Sequence, residues 1–235
     1  MPELALDITG RSELGLVRGN IEDSWQGCAR MAIVADGVGG RPAGELASLL
    51  AVQVFCETTR GGIAPTEAVR VASRVVAAVS LSNPLFTGMC TTLTAVMLDC
   101  REIHLVHVGD SQAWTVVGDE VTLITDEQSV AAALVRAGEL SAEDALRDHR
   151  RHMLAQVIGS KVEPQPQETR LPAHLGDRIV LATDGLNEAD PGDVARLLAK
   201  ALPAQDLVDQ LVAATYDAGA PDNVTVVVAD VVNGD

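Results

Sequence analysis

The feature that most constrains the fold is a series of short β-branched runs in the middle of the chain. The runs are separated by turn-forming residues such as Gly109-Asp110-Ser111 and Gly118-Asp119. Connections this short favour antiparallel neighbours, because a parallel crossover needs a dozen or more residues. The pattern therefore predicts an antiparallel meander. Its strands are Thr91 to Leu98, Ile103 to Val108, Ala113 to Val117 and Val121 to Ile124.

Helical periodicity is found on both sides of these runs. The spacing of apolar residues predicts helices over 41–56, 66–80, 129–138, 141–149 and 206–216, and further strands over 29–35, 178–182 and 223–232. Strands and helices are segregated rather than strictly alternating. This arrangement predicts an α+β fold in which helices cover two packed sheets. Neither a linker nor a repeat interrupts the chain, so we expect a single domain over 1–235.

Composition limits the classes of partner. A formal net charge of −16 repels nucleic acid and anionic membranes, and no basic cluster offsets it. The four cysteines lack CxxC spacing, which argues against a zinc site or a disulfide framework. No apolar run is long enough to cross a membrane. We therefore expect a cytoplasmic protein that binds no nucleic acid and does not insert directly into membranes.

Aspartate recurs beside glycine or asparagine where strands begin or end. Any one of these dipeptides is more often an ordinary turn, since Asp, Asn and Gly are the usual turn formers. Their recurrence suggests a second reading, because carboxylate oxygens are the ligands that Mg²⁺ and Mn²⁺ prefer. The pairs are Asp36-Gly37, Gly109-Asp110, Asp184-Gly185 and Asp222-Asn223, with Glu22-Asp23 as a further acidic site.

Six motifs, five of which include these aspartates, follow one another along most of the chain. They are Arg18-Gly19-Asn20-Ile21-Glu22-Asp23, Asp36-Gly37-Val38-Gly39-Gly40, Thr91-Thr92-Leu93, Gly109-Asp110-Ser111, Thr183-Asp184-Gly185 and Pro221-Asp222-Asn223. The ordered set resembles the metal-dependent type-2C protein phosphatases, the PPM family, and in particular their short bacterial members. Each motif alone is weak, whereas the order is specific.

The resemblance implies a four-layer α-β-β-α sandwich with two central antiparallel sheets and metal ions between them. The cofactors would be two Mn²⁺ or Mg²⁺ ions, with a possible weaker third. The implied metal ligands are Asp23, Asp36, the Gly37 carbonyl, Asp110, Asp184 and Asp222. Asp36 would bridge the first two ions, Glu22 is an alternative to Asp23 through water, and Asp110 would belong to the third site. Arg18 would hold the substrate phosphate, which makes Arg18 and Asp36 the catalytic residues.

The implied activity is hydrolysis of phosphoserine and phosphothreonine in proteins by direct attack of a metal-bridging water or hydroxide. Partners would be phosphorylated proteins and the bacterial serine/threonine kinase that the enzyme opposes. A catalytically weak family member that binds phosphoproteins as a regulatory module is the alternative. The irregular segment between about Glu127 and Ser160 would form a flap that contributes to substrate choice.

One departure from the family pattern concerns His152, which stands where relatives commonly carry a small polar residue. We hypothesise that His152 adjusts the third metal site or the phosphate pocket. An ordinary surface histidine is the simpler interpretation.

Overall fold

The computed structural model describes residues 3–234, and two antiparallel sheets of five strands each form its centre. Sheet A contains, in spatial order, β1 (Leu4–Glu13), β10 (Val224–Asn233), β9 (Arg178–Ala182), β6 (Gln112–Val117) and β7 (Glu120–Leu123). Sheet B contains β2 (Asp23–Cys28), β3 (Met31–Asp36), β4 (Leu93–Asp99), β5 (Glu102–Val108) and β8 (Gln167–Pro172).

Helices cover the outer face of each sheet. α1 (Gly44–Arg60) and α2 (Pro65–Ser82) pack on sheet B, while α5 (Pro191–Leu198) and α6 (Ala204–Asp217) pack on sheet A. The segment between β7 and β8 carries two short helices, α3 (Val130–Arg136) and α4 (Ala142–Ala145). The layers therefore run α-β-β-α, which confirms the predicted fold class. Within residues 3–234, none of the helices has both the length and the apolar character to cross a membrane.

Burial on both faces explains why the strand sequences are almost continuously apolar. Successive side chains of a strand point to opposite faces of its sheet. In β3, Ile33 packs under α1 and the adjacent Val34 packs between the sheets, and both are fully buried. In β10, Val226 packs under α6 and Val227 packs between the sheets. Three apolar layers thus hold the four structural layers together.

The predicted meander is wrong in one respect. β4 pairs with β5 and β6 pairs with β7, as expected, but β5 does not pair with β6. The chain passes from sheet B to sheet A at Gly109, whose φ of 121° is accessible chiefly to glycine. A Cβ at this position would lie 2.6 Å from Thr92 Cγ2, so the crossover also needs the missing side chain.

The helix predicted over 141–149 is also largely wrong. Only the single turn of α4 forms there, and a short 3-10 turn follows at His149–His152. Ser141 does cap this turn, because its hydroxyl accepts a hydrogen bond from the Asp144 amide at 3.0 Å.

His107 in β5 is a fully buried histidine that the structure holds neutral. Its Nδ1 lies 2.7 Å from Thr94 Oγ1, and its Nε2 lies 3.1 Å from the carbonyl oxygens of Gly109 and Asp126. Carbonyl oxygens only accept hydrogen bonds, so Nε2 carries the proton and Nδ1 accepts from the threonine hydroxyl. Burial lowers the pKa of His107 to about 4.

This neutral histidine predicts a specific loss of stability in acid. An unfolded histidine titrates near pH 6.5, so the contribution of His107 is complete above that pH and is lost as the pH falls toward 4. We expect the free energy of unfolding to drop between pH 7 and pH 4 by about 3 kcal/mol more in the wild type than in His107→Gln. Urea titrations across this range measure the difference. The exposed His174→Gln is the control, and equal slopes for wild type and His107→Gln would contradict the assignment.

Candidate metal centre

The aspartates that follow or precede strands meet at one end of the sandwich. Asp36 ends β3 in sheet B, whereas Asp184 follows β9 and Asp222 precedes β10 in sheet A. Asp110 lies at the crossover between the sheets. Together with Arg18, these four aspartates line one cavity of about 380 Å³. The remaining lining residues are Val38, Gly39, Thr92, His152, Leu154, Gly185, Glu188 and Pro221.

Two glycines allow the loops that carry the aspartates to approach closely. A Cβ on Gly185 would collide with the backbone carbonyl of Asn223, so only glycine lets the loop after Asp184 lie against the loop of Asp222. A Cβ on Gly37 would collide with the carbonyl of Gly44 at the start of α1. In both motifs, glycine follows aspartate because another part of the backbone occupies the space of a side chain.

Two threonines fix the backbone of Asp36. The Thr92 hydroxyl accepts a hydrogen bond from the Asp36 amide at 2.9 Å, and the Thr91 hydroxyl donates to the Asp36 carbonyl at 2.7 Å. The Thr92 amide donates to the same carbonyl at 2.9 Å. These bonds hold the main chain, and the Asp36 side chain remains available to the cavity.

Asn223 organises the loop that carries Arg18. Its Oδ1 accepts a hydrogen bond from the Glu22 amide at 2.8 Å, and its Nδ2 donates to the carbonyls of Leu14 at 2.8 Å and Asn20 at 3.0 Å. In the sequence, Asn223 follows the candidate metal ligand Asp222, but the motif did not predict a role for Asn223 itself. Its three bonds bracket the Arg18 loop on both sides.

Arg18 forms part of the cavity wall. Its Nη2 donates to Asp222 Oδ2 at 2.6 Å, and its Nη1 lies 4.0 Å from Glu22 Oε2. A Cβ on Gly39 would lie 2.7 Å from both terminal guanidinium nitrogens, so glycine leaves the space in which the guanidinium sits.

The cavity concentrates negative charge on partly buried side chains. The carboxyl groups of Asp36 and Asp184 lie within hydrogen-bonding reach of each other, and burial raises the pKa of both. Burial and, to a smaller extent, repulsion from Asp184 raise the pKa of Asp110 to about 7. Burying several carboxylates together is costly unless cations or protons compensate the charge. The site therefore has the electrostatic character of a cation site.

Asp23 does not line this cavity. Its Oδ2 accepts hydrogen bonds from the hydroxyls of Thr183 at 2.8 Å and Thr225 at 2.6 Å, and its Oδ1 is buried without a partner. Burial raises the pKa of Asp23 to about 7. These bonds join β2 of sheet B to sheet A at Thr183, the residue before Asp184, and at Thr225, three residues after Asp222. Gly37 is likewise absent from the cavity lining.

The structure thus brings together Arg18, Asp36, Asp110, Asp184, Asp222 and His152. Within residues 3–234, no group of three or more His, Cys, Asp or Glu side chains is arranged as a ready-made metal site. The donors at the cavity are nevertheless carboxylates, the hard oxygen ligands that Mg²⁺ and Mn²⁺ prefer. A divalent cation would also relieve the repulsion between them. The residues present therefore fit such a cation.

Comparison with known proteins gives several matches across this region. The chain is 38% identical over 241 residues to the serine/threonine protein phosphatase PstP of Mycobacterium tuberculosis. That alignment covers 99% of this chain and 46% of PstP, so the chain spans about half the length of this relative. The serine/threonine phosphatase stp of Listeria innocua is 26% identical over 211 residues, which is 85% of this chain and 84% of that protein.

Solved structures agree with these matches. A crystal structure of the Mycobacterium tuberculosis PstP phosphatase superposes with a TM-score of 0.87 at 32% identity, covering 98% of this chain and 100% of the other. The catalytic domain of PstP in complex with two manganese ions superposes with a TM-score of 0.84 at 35% identity, with the same coverage. The family profile for protein phosphatase 2C matches residues 21–229. The chain therefore belongs to the protein phosphatase 2C, or PPM, family.

Proposed function

We propose that this chain is a divalent-metal-dependent protein phosphatase that removes phosphate from phosphoserine and phosphothreonine. The observation that carries the proposal is the cavity in which four aspartates from both sheets face Arg18. The names of the two relatives described above, both serine/threonine phosphatases, support the same activity. The substrates would be proteins phosphorylated by a serine/threonine kinase whose action the enzyme reverses.

Asp36, Asp184 and Asp222 would hold two Mn²⁺ or Mg²⁺ ions together with the Gly37 carbonyl, and Asp110 would add a weaker third. The two manganese ions bound by the PstP catalytic domain support this number. When bound, the cations supply an activated water and offset the repulsion between an anionic substrate and a protein of charge −16.

Arg18 would orient the phosphoryl group. Asp222 engages Nη2 of its guanidinium, which leaves further N–H donors for phosphate oxygens. A planar guanidinium can bind two oxygens of one phosphoryl group at once and thereby fix its orientation for in-line attack. Because the Arg18 loop is tied to Asn223, its position relative to Asp222 is set by the fold.

His152 would act on the third metal site or on the phosphate pocket. It lines the cavity, and its Nε2 accepts a hydrogen bond from Arg151 Nε at 2.7 Å. This bond orients the ring at the cavity wall. In the neutral ring the proton then resides on Nδ1.

Metal dependence tests the proposed activity. We expect a phosphothreonine peptide to be hydrolysed with Mn²⁺ and not with a chelator. Asp184→Asn should lower kcat/KM by at least about 100-fold, since it removes a charged ligand from a site where charge develops. Asp119→Asn, on an exposed turn, is the matched control. Peptide binding without any metal-dependent turnover would instead favour the regulatory binding module.

Asp23 offers a second test, since its contacts favour a positioning role over direct ligation. Thr225→Val removes one of its two hydrogen bonds and leaves every carboxylate in place. We expect this variant to weaken Mn²⁺ binding about tenfold, because groups that orient a metal site contribute that much to affinity. Titration calorimetry measures the change, and Ser12→Ala is the control, since Ser12 contacts Thr225 and not Asp23. If Asp23→Asn abolishes Mn²⁺ binding while Thr225→Val leaves it unchanged, Asp23 is a direct ligand.

A further inference from the structure

The catalytic cavity is rich in carboxylates and poor in side chains that donate hydrogen bonds. Its acidic lining residues are Asp36, Asp110, Asp184, Glu188 and Asp222. Among the lining residues in the described part of the chain, Arg18 and His152 are the two whose side chains carry N–H donors. The Thr92 hydroxyl is already engaged by the Asp36 amide and by Ser111 Oγ. An anionic phosphoryl group therefore has few side-chain donors to bind.

His152 stands at the border between this cavity and a second cavity of about 630 Å³. It belongs to the 3-10 turn His149–His152 and lines both cavities. Arg151, the preceding residue of the turn, lines the second cavity and not the first. Of these two neighbours, the histidine is therefore the one that reaches the catalytic cavity.

Arg151 fixes which ring nitrogen of His152 carries the proton. Its Nε donates to His152 Nε2 at 2.7 Å, and its Nη1 donates to the Leu146 carbonyl at 2.5 Å, which anchors the guanidinium. A guanidinium has donors and no acceptor, so His152 Nε2 must accept and carries no proton. The contact forms only with a neutral ring, and the proton of that ring resides on Nδ1.

This tautomer suits an anion rather than a cation. A histidine binds a metal ion through the lone pair of a ring nitrogen. In His152 the lone pair of Nε2 is taken by Arg151, and Nδ1 is protonated. Neither nitrogen therefore offers a lone pair to a metal ion, whereas the Nδ1–H group has the polarity that a phosphoryl oxygen requires.

We propose that His152 is a further catalytic residue, a neutral donor whose Nδ1–H binds an oxygen of the phosphoryl group alongside Arg18. Arg151 is then a positioning residue, which acts by fixing the tautomer of His152. The histidine serves the phosphate pocket and not the third metal site. This role rests on the proposed function, because a phosphoryl group is the anion that the cavity would bind.

Three substitutions of His152 separate a donor at Nδ1 from other roles. In the Mn²⁺-loaded enzyme, His152→Ala should raise the inhibition constant of inorganic phosphate about tenfold and lower kcat/KM on a phosphothreonine peptide by a similar factor, since one hydrogen bond to a charged group is lost. His152→Asn should keep both values within about threefold of the wild type, because its amide nitrogen occupies nearly the position of Nδ1. His152→Gln carries its amide one carbon further out, near the position of Nε2, and should resemble His152→Ala.

A double-mutant cycle tests whether Arg151 acts through His152. Arg151→Met should raise the phosphate inhibition constant about threefold in the wild type and leave it unchanged in the His152→Ala background. His149→Ala is the matched control, because His149 lies in the same 3-10 turn, is exposed and lines neither cavity. It should leave the inhibition constant unchanged.

Thermal unfolding followed by circular dichroism shows that each variant is folded. An unchanged phosphate inhibition constant in His152→Ala, or equal losses in His152→Asn and His152→Gln, would overturn the donor role. A higher Mn²⁺ requirement in His152→Ala with unaltered phosphate inhibition would also overturn it, since His152 would then serve a metal ion. Absence of Mn²⁺-dependent peptide hydrolysis in the wild type would overturn the proposed function, and the donor role with it.

Discussion

Asp36 ends a strand of sheet B and Asp184 follows a strand of sheet A, yet their carboxyl groups lie within hydrogen-bonding reach of each other. Two partly buried carboxylates this close repel each other when both are charged, and the repulsion costs free energy. The surrounding structure holds them there despite that cost. A divalent cation converts the repulsion into attraction, so the arrangement that destabilises the bare fold is the one that binds metal.

The groups that hold these carboxylates in place join segments distant in sequence. Asn223 bonds three points on the loop between Leu14 and Glu22, and Asp23 accepts hydrogen bonds from threonines at the ends of β9 and β10. Gly185 permits the closest contact, because its missing side chain makes room for the Asn223 carbonyl. The two sheets are therefore connected at the metal end by polar bonds and elsewhere by an apolar layer. Polar bonds have directional geometry, and this fits them to place ligand atoms.

Much of the fold could be predicted from the sequence because burial on both faces makes the central strands long apolar runs. β8 escaped prediction since it is an edge strand whose exposed residues alternate with half-buried ones, and Leu171 is its only large apolar residue. β2 was not predicted for a similar reason, because polar residues and a glycine interrupt its apolar pattern. The switch between sheets at Gly109 also could not be foreseen, because a short turn predicts pairing of its two strands and only tertiary packing decides otherwise.

The candidate site divides in the same way. The resemblance carried by the ordered motifs predicted Arg18 and the four aspartates as site residues, and the structure places all five in the lining of one cavity, where strand ends of the two stacked sheets converge. The buried bonds of Asp23 and the role of Asn223 depend on contacts across about 200 residues, which no local pattern records. The second cavity next to the site was also not predicted, because part of its wall comes from short helices and from the end of β7.

The central claim is that carboxylates from both sheets form one divalent-cation site. A manganese anomalous difference map from crystals grown with Mn²⁺ tests it most directly, since it locates the ions independently of activity. The account predicts strong peaks in the cavity between Asp36, Asp184 and Asp222. Manganese bound only at the outer surface, with no peak in that cavity, would contradict it.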